Sequence, residues 1–251
     1  MKGNLEAASL CGWSTAVYIP EGARDDLPLV FICGGGCVQE ELRSLADLWE
    51  KGRPGEDFPF LLAGLGAADW NSAYSPWPAP PLSAEGKGFA GCAAETGRFL
   101  LKEYLPYVCG RYPASSRKEK RAVAGYSLGG LGALYLFLET GEFAGAASCS
   151  GSLWYPGWCG YAEKAPVPRE PGYIYLSLGR AEKRIRSRLM ALNPECTEKT
   201  RALLSERMAE GSQAVFQWNN GGHGFEAAER MLRAFLWLQP FLENPACAEN
   251  R

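Results

Sequence analysis

"RAVAGYSLGGLGALYLFLE", residues 121–139, decides the fold. Its opening is a short apolar run of strand length, its close reads as an apolar helix, and Ser127 stands at the junction. Gly125, Ser127 and Gly129 fit G-x-S-x-G, and the spacing has a steric reason. A serine lifted above a sheet on a strained strand-to-helix turn needs small residues two before and two after it, because the backbone crowds there. The amide of the next residue, Leu128, then faces any oxygen that accumulates charge beside the serine. The pentapeptide alone is only moderately specific; a strand before it and a helix after it are what give it weight.

Outward from this turn the chain alternates. Apolar, strand-like runs fall at 14–19, 29–33, 59–65, 145–150, 172–178 and 214–218. Helical patterns lie at 39–52, 92–108, 196–211 and 225–242. Several of the strands are apolar throughout, as strands covered on both faces are. The order predicts an α/β fold, a mostly parallel central sheet with helices on both faces. No repeat or low-complexity tract divides residues 1–251, so one domain is expected. Two long connections, 66–88 and 150–171, are rich in Pro, Gly and aromatic residues. Loops of that length and composition are expected to bind something.

Composition narrows the classes of function. A chain that is 47% hydrophobic and 22% charged has material for a large core. A net charge of −2 offers no electrostatic pull toward nucleic acid or an anionic membrane. No apolar run is long enough to span a bilayer, and the N-terminal stretch lacks the apolar segment of a signal peptide, so a cytoplasmic protein is expected. The nine cysteines sit mainly in apolar surroundings and read as small buried hydrophobes. "CGGGC" (33–37) lacks C-x-x-C spacing, and no histidine cluster accompanies it, so no metal and no cofactor are expected.

A serine nucleophile needs a base, and the chain contains one histidine, His223. A solitary histidine is more often a structural residue. This one follows the last strand in the glycine-flanked loop "NNGGHGF" (219–225), at the sheet edge where ligand sites form. The acid comes by elimination: every aspartate (25, 26, 47, 57 and 69) precedes Ser127, so an acid between serine and histidine must be a glutamate. Glu182 lies just past a strand, whereas Glu195, Glu198, Glu206 and Glu210 fall in helical patterns. The competing reading of Glu182 is a surface i, i+4 pair with Arg186. Gly35 or Gly36, after an early strand, is expected to supply the second oxyanion donor. Trp70, Tyr74, Trp77 and Trp154 are candidates to line a substrate pocket, against the alternative that they merely pack the loops. The basic stretch Arg180, Lys183, Arg184, Arg186 and Arg188 reads first as a solvated face.

Taken in order, "DWNSAYSPWPAP" (69–80), "GYSLGGLGALY" (125–135), "SGSLWYPG" (150–157), "YLSLGRAEK" (175–183) and "NNGGHGF" resemble one branch of the α/β-hydrolases. It is the esterase branch that includes siderophore (enterochelin-type) and esterase D-like enzymes. The resemblance implies the α/β-hydrolase fold and a serine esterase acting on a small-molecule ester, without metal or nucleotide cofactor. It sets the nucleophile on Ser127, the histidine on His223 and the acid on Glu182. Arg180 is a departure, since many such relatives carry an acidic residue directly after the strand-ending glycine. Some siderophore esterases work with a Ser–His pair, which this chain would also accommodate. Two alternatives share these residues: an acyltransferase using the same acyl-enzyme, and a non-catalytic binding module on the same fold. Against the latter, serine, histidine and oxyanion glycines are all intact.

Overall fold

The computed structural model describes residues 2–185 and 187–244. Eight strands make one sheet: β1 (Asn4–Leu10), β2 (Trp13–Ile19), β3 (Leu29–Gly35), β4 (Leu61–Ala67), β5 (Arg121–Tyr126), β6 (Gly145–Cys149), β7 (Tyr173–Gly179) and β8 (Gln213–Asn219). Their spatial order is β1-β2-β4-β3-β5-β6-β7-β8. β1 and β2 enter antiparallel, and every pairing from β4 through β3 to β8 is parallel.

The helices are α1 (Val38–Gly52), α2 (Trp70–Ala73), α3 (Ala93–Phe99), α4 (Leu105–Arg111), α5 (Leu128–Thr140), α6 (Trp158–Ala162), α7 (Asn193–Arg207) and α8 (Ala227–Glu243). A π-helical turn, Leu100–Tyr104, joins α3 to α4. Alternation along the strands splits the core between two faces. Val30, Ile32, Ala122 and Ala124 meet α1 and α8 through Leu42, Leu45, Phe235 and Leu238. Phe31, Cys33, Val123 and Ile174 meet α5 and the α3–α4 run through Leu131, Leu134, Tyr104 and Val108. The parallel strands β3 and β5–β7 are buried nearly end to end, which is why they read as unbroken apolar runs.

Some boundaries differ from those predicted. β4 begins at Leu61, not 59, because Pro59 has no amide for the ladder. α7 starts at Asn193, with Pro194 in its first turn, where the missing donor is harmless. β1 was not predicted: it is a half-exposed edge strand without apolar alternation. Its turn uses Cys11 (φ 50°) and Gly12 (φ 84°), not an Asn-Gly pair. The two long connections are not structureless, since they contain α2 and α6. Among the described residues, no helix is long and apolar enough to cross a membrane.

Candidate active site

Ser127 joins β5 to α5 at φ 56°, ψ −123°, a conformation that costs a residue with a side chain about 1–3 kcal/mol. Four main-chain bonds hold it. Its amide donates to Cys149 O (3.0 Å), and its carbonyl accepts from the amides of Gly130 (3.0 Å), Leu131 (3.2 Å) and Ser152 (3.0 Å). The flanking glycines are where backbone meets backbone. A Cβ on Gly125 would lie 2.3 Å from the Gly129 carbonyl, and one on Gly129 would lie 2.3 Å from Cys33 O. Gly125→Ala is therefore expected to destabilise the fold by about 1–3 kcal/mol, readable as a lower denaturation midpoint at unchanged m. An unaltered midpoint would remove the steric account of the motif.

His223 sits in the segment between β8 and α8, with its ring 38% exposed. Its Nε2 lies 2.9 Å from Ser127 Oγ and its Nδ1 2.9 Å from Glu182 Oε2. The Tyr126 hydroxyl donates to the His223 carbonyl, and the Tyr126 ring packs edge-on against the imidazole at 5.6 Å.

Glu182 occupies the 3₁₀ turn Arg180–Arg184 that follows β7. It is buried, so it is no member of a surface pair; Arg186 lies outside the described residues. Its second oxygen, Oε1, accepts from Gly179 N (2.6 Å), Ser150 Oγ (2.8 Å) and Arg230 Nη1 (3.3 Å). Burial pushes this carboxyl up, but bonds from His223, Gly179 and Ser150 outweigh it and hold it below the ordinary carboxylate range.

Leu128 is the first residue of α5, and a helix's first-turn amides have no acceptor within the helix. Of the two loop glycines, Gly35 donates its amide to Glu41 Oε1 at 2.8 Å. The Gly35 amide is thus engaged within its own loop, whereas among the described residues no side chain bonds the Gly36 amide. An open groove of about 450 Å³ passes Gly36 between Gly12, Ser14 and Ala68.

The four aromatic candidates divide. Trp70 stands beside the elbow, its ring 3.0 Å from the point a Gly129 Cβ would occupy. Tyr74 is fully buried, its hydroxyl donating to Gly34 O (3.0 Å) and Leu65 O (2.5 Å), so it presents nothing to a substrate. Trp77 donates its Nε1 to Pro156 O (2.8 Å), and the Tyr155 hydroxyl returns a bond to Trp77 O (2.6 Å). Trp154 is buried, its amide bonded to Asn193 Oδ1 (3.1 Å). Trp77 thus ties the two loops together, whereas Tyr74 is anchored to β3 and β4 and Trp154 to the start of α7. In the basic stretch, Lys183 caps the Trp218 ring at 4.3 Å, while Arg180 and Arg184 are exposed.

Arg230, Tyr126 and Ser150 were not singled out by the sequence, yet all three touch the histidine segment or the acid. For Arg230 a signal existed. It lies four residues before Ala234 and eight before Leu238, a charge in the register of the buried face of α8.

The description "Putative esterase" names the family whose model matches residues 11–236. A protein of Bacillus subtilis, "Uncharacterized protein YbbA", is 22% identical over 245 residues, covering 95% of this chain and 97% of that one. The "Iron(III) enterobactin esterase" of Escherichia coli is 41% identical over 73 residues, 29% of this chain and 18% of that protein. The structure of an IroE-like serine hydrolase from Shewanella oneidensis superposes with a TM-score of 0.72 at 15% identity, over 95% of this chain and 80% of that one. With the family match spanning the nucleophile turn, strands β2 to β8 and the first part of α8, the chain belongs to the "Putative esterase" family and is an ester hydrolase of the α/β-hydrolase fold.

Proposed function

We propose that the protein hydrolyses a small-molecule carboxylic ester through an acyl-enzyme on Ser127. The observation that carries this reading is the continuous line from Ser127 Oγ to His223 Nε2 and from His223 Nδ1 to Glu182 Oε2, each step 2.9 Å. His223 takes the Ser127 proton through Nε2 as Oγ attacks the ester carbonyl, and later returns it to the departing alcohol. A water deprotonated by the same nitrogen then releases the acid. Glu182 keeps the proton on Nδ1, so that Nε2 presents its lone pair, and balances the charge when the imidazolium forms. The Leu128 amide, with that of Gly36, receives the oxyanion. The half-buried Trp70, whose ring lies beside the elbow, is the aromatic side chain placed to meet the substrate.

A fluorophosphonate probe tests the assignment directly, because it reports the activated serine and not the substrate. Peptide mapping should find the adduct on Ser127; an adduct elsewhere would move the nucleophile. A panel of aryl and alkyl esters of graded acyl length, with macrocyclic lactones, then defines the substrate. Among the described residues no three His, Cys, Asp or Glu side chains are grouped to hold a metal. EDTA should therefore leave turnover unchanged. A chelated enzyme that loses activity and regains it with zinc would place the chemistry on a metal.

A further inference from the structure

Arg230 is fully buried on α8, in a stripe otherwise made of Met231, Ala234, Phe235, Leu238 and Leu242. A guanidinium there loses its hydration, and a methionine would fill the same volume without that cost. Its contacts all converge on one place. Nη1 reaches Ser150 Oγ (2.8 Å), Tyr126 Oη (2.9 Å) and Glu182 Oε1 (3.3 Å), the carboxylate oxygen that His223 does not use. Nη2 donates to the carbonyls of Asn220 (2.7 Å) and Gly222 (2.9 Å), the latter being the residue before His223. A third route runs through Tyr126, which accepts from Arg230 and donates to the His223 carbonyl. Gly179 leaves room for this fork: a Cβ there would lie 2.8 Å from Nη2.

We propose that Arg230 is a positioning residue of the ester-hydrolysing site, fixing the Glu182 carboxylate and the His223 backbone in one frame. This rests on the assignment of Ser127, His223 and Glu182 above. The fork sets the distance between acid and imidazole. A lysine would keep the charge but could not span both groups of acceptors.

The test compares Arg230→Lys and Arg230→Met with wild type, using p-nitrophenyl acetate. Steady-state kcat and KM are followed alongside the NMR signals of the imidazole ring, which are unambiguous in a chain with one histidine. In Arg230→Met the ring signals should broaden as the imidazole loses its single orientation. Its kcat should fall about 100-fold, the loss expected of a misplaced base, with KM changed far less. In Arg230→Lys kcat should fall by about tenfold, again with KM changed far less. A methionine variant with wild-type ring signals and kcat would show that Arg230 only fills space, overturning the proposal. Should that variant fail to fold, the lysine variant decides: a lowered kcat at nearly unchanged KM supports the fork, and an unchanged kcat refutes it. Comparing wild type with Ser127→Ala on the same ester separates failure of this inference from failure of the catalytic assignment beneath it.

Discussion

Ser127→Ala is expected to lower kcat by about 10⁶, the size of loss seen when a serine hydrolase loses its nucleophile. The fold should survive. The strained turn already carries a Cβ, and the four bonds that hold residue 127 are all main-chain. The hydroxyl's partner is His223 Nε2, on a ring exposed enough to reach water once the hydroxyl is gone. The melting temperature should thus stay within a few degrees of wild type, and fluorophosphonate labelling should vanish. Freshly purified mutant protein that turned over ester within a hundredfold of wild type would take the nucleophile away from Ser127.

Glu182→Gln should cost on the order of 10⁴ in kcat, the loss known for replacing a triad acid by its amide. The physical reason is the tautomer. A glutamine can still accept from Gly179 and Ser150 through one atom, but it then turns its NH₂ toward His223 Nδ1. The imidazole answers by accepting at Nδ1 and carrying its proton on Nε2, where it can take none from serine. Stability falls too, because buried Arg230 loses its anionic partner, and breaking such a pair costs about 3–5 kcal/mol. Kinetics must be read well below the mutant's melting transition.

Acid titration gives a cross-check. The folded-state pKa of Glu182 is depressed, so its contribution to stability is complete above the ordinary carboxylate pKa and is lost as pH falls through the lower, folded value. Wild type should therefore lose more stability in acid than Glu182→Gln. Mutant rates within a few-fold of wild type would leave Ser127 and His223 as a pair, their imidazole oriented by some other group.

How much of this was legible in the sequence follows from what each residue's role demands. The turn at Ser127 could be read because backbone contact admits only glycine at 125 and 129, and a steric demand of that kind is written into residue identity. Glu182 was legible through its place at a strand end. The bond of the Gly35 amide was not, since nothing in "CGGGC" says that Glu41, six residues on, reaches back for it. Composition marked the aromatic loops as special but could not say which way the rings turn, and Tyr74 and Trp154 turn inward. Arg230 was hidden differently. Its helix reads as amphipathic, and the one charge in the buried register passes for an interruption until its acceptors, which come from four other parts of the chain, are seen around it.

The reciprocal bonds of Trp77 with Pro156 and Tyr155 bear on how such a protein can change over generations. They rivet two stretches far apart along the chain into one plate, which also carries Trp70 beside the elbow. A replacement on either stretch shifts the seat of the other, so drift at these positions should come in matched pairs. A laboratory library that randomised the first stretch alone would mostly sample broken plates. Varying residues 77, 155 and 156 together lets a new matched set of contacts replace the old rivet.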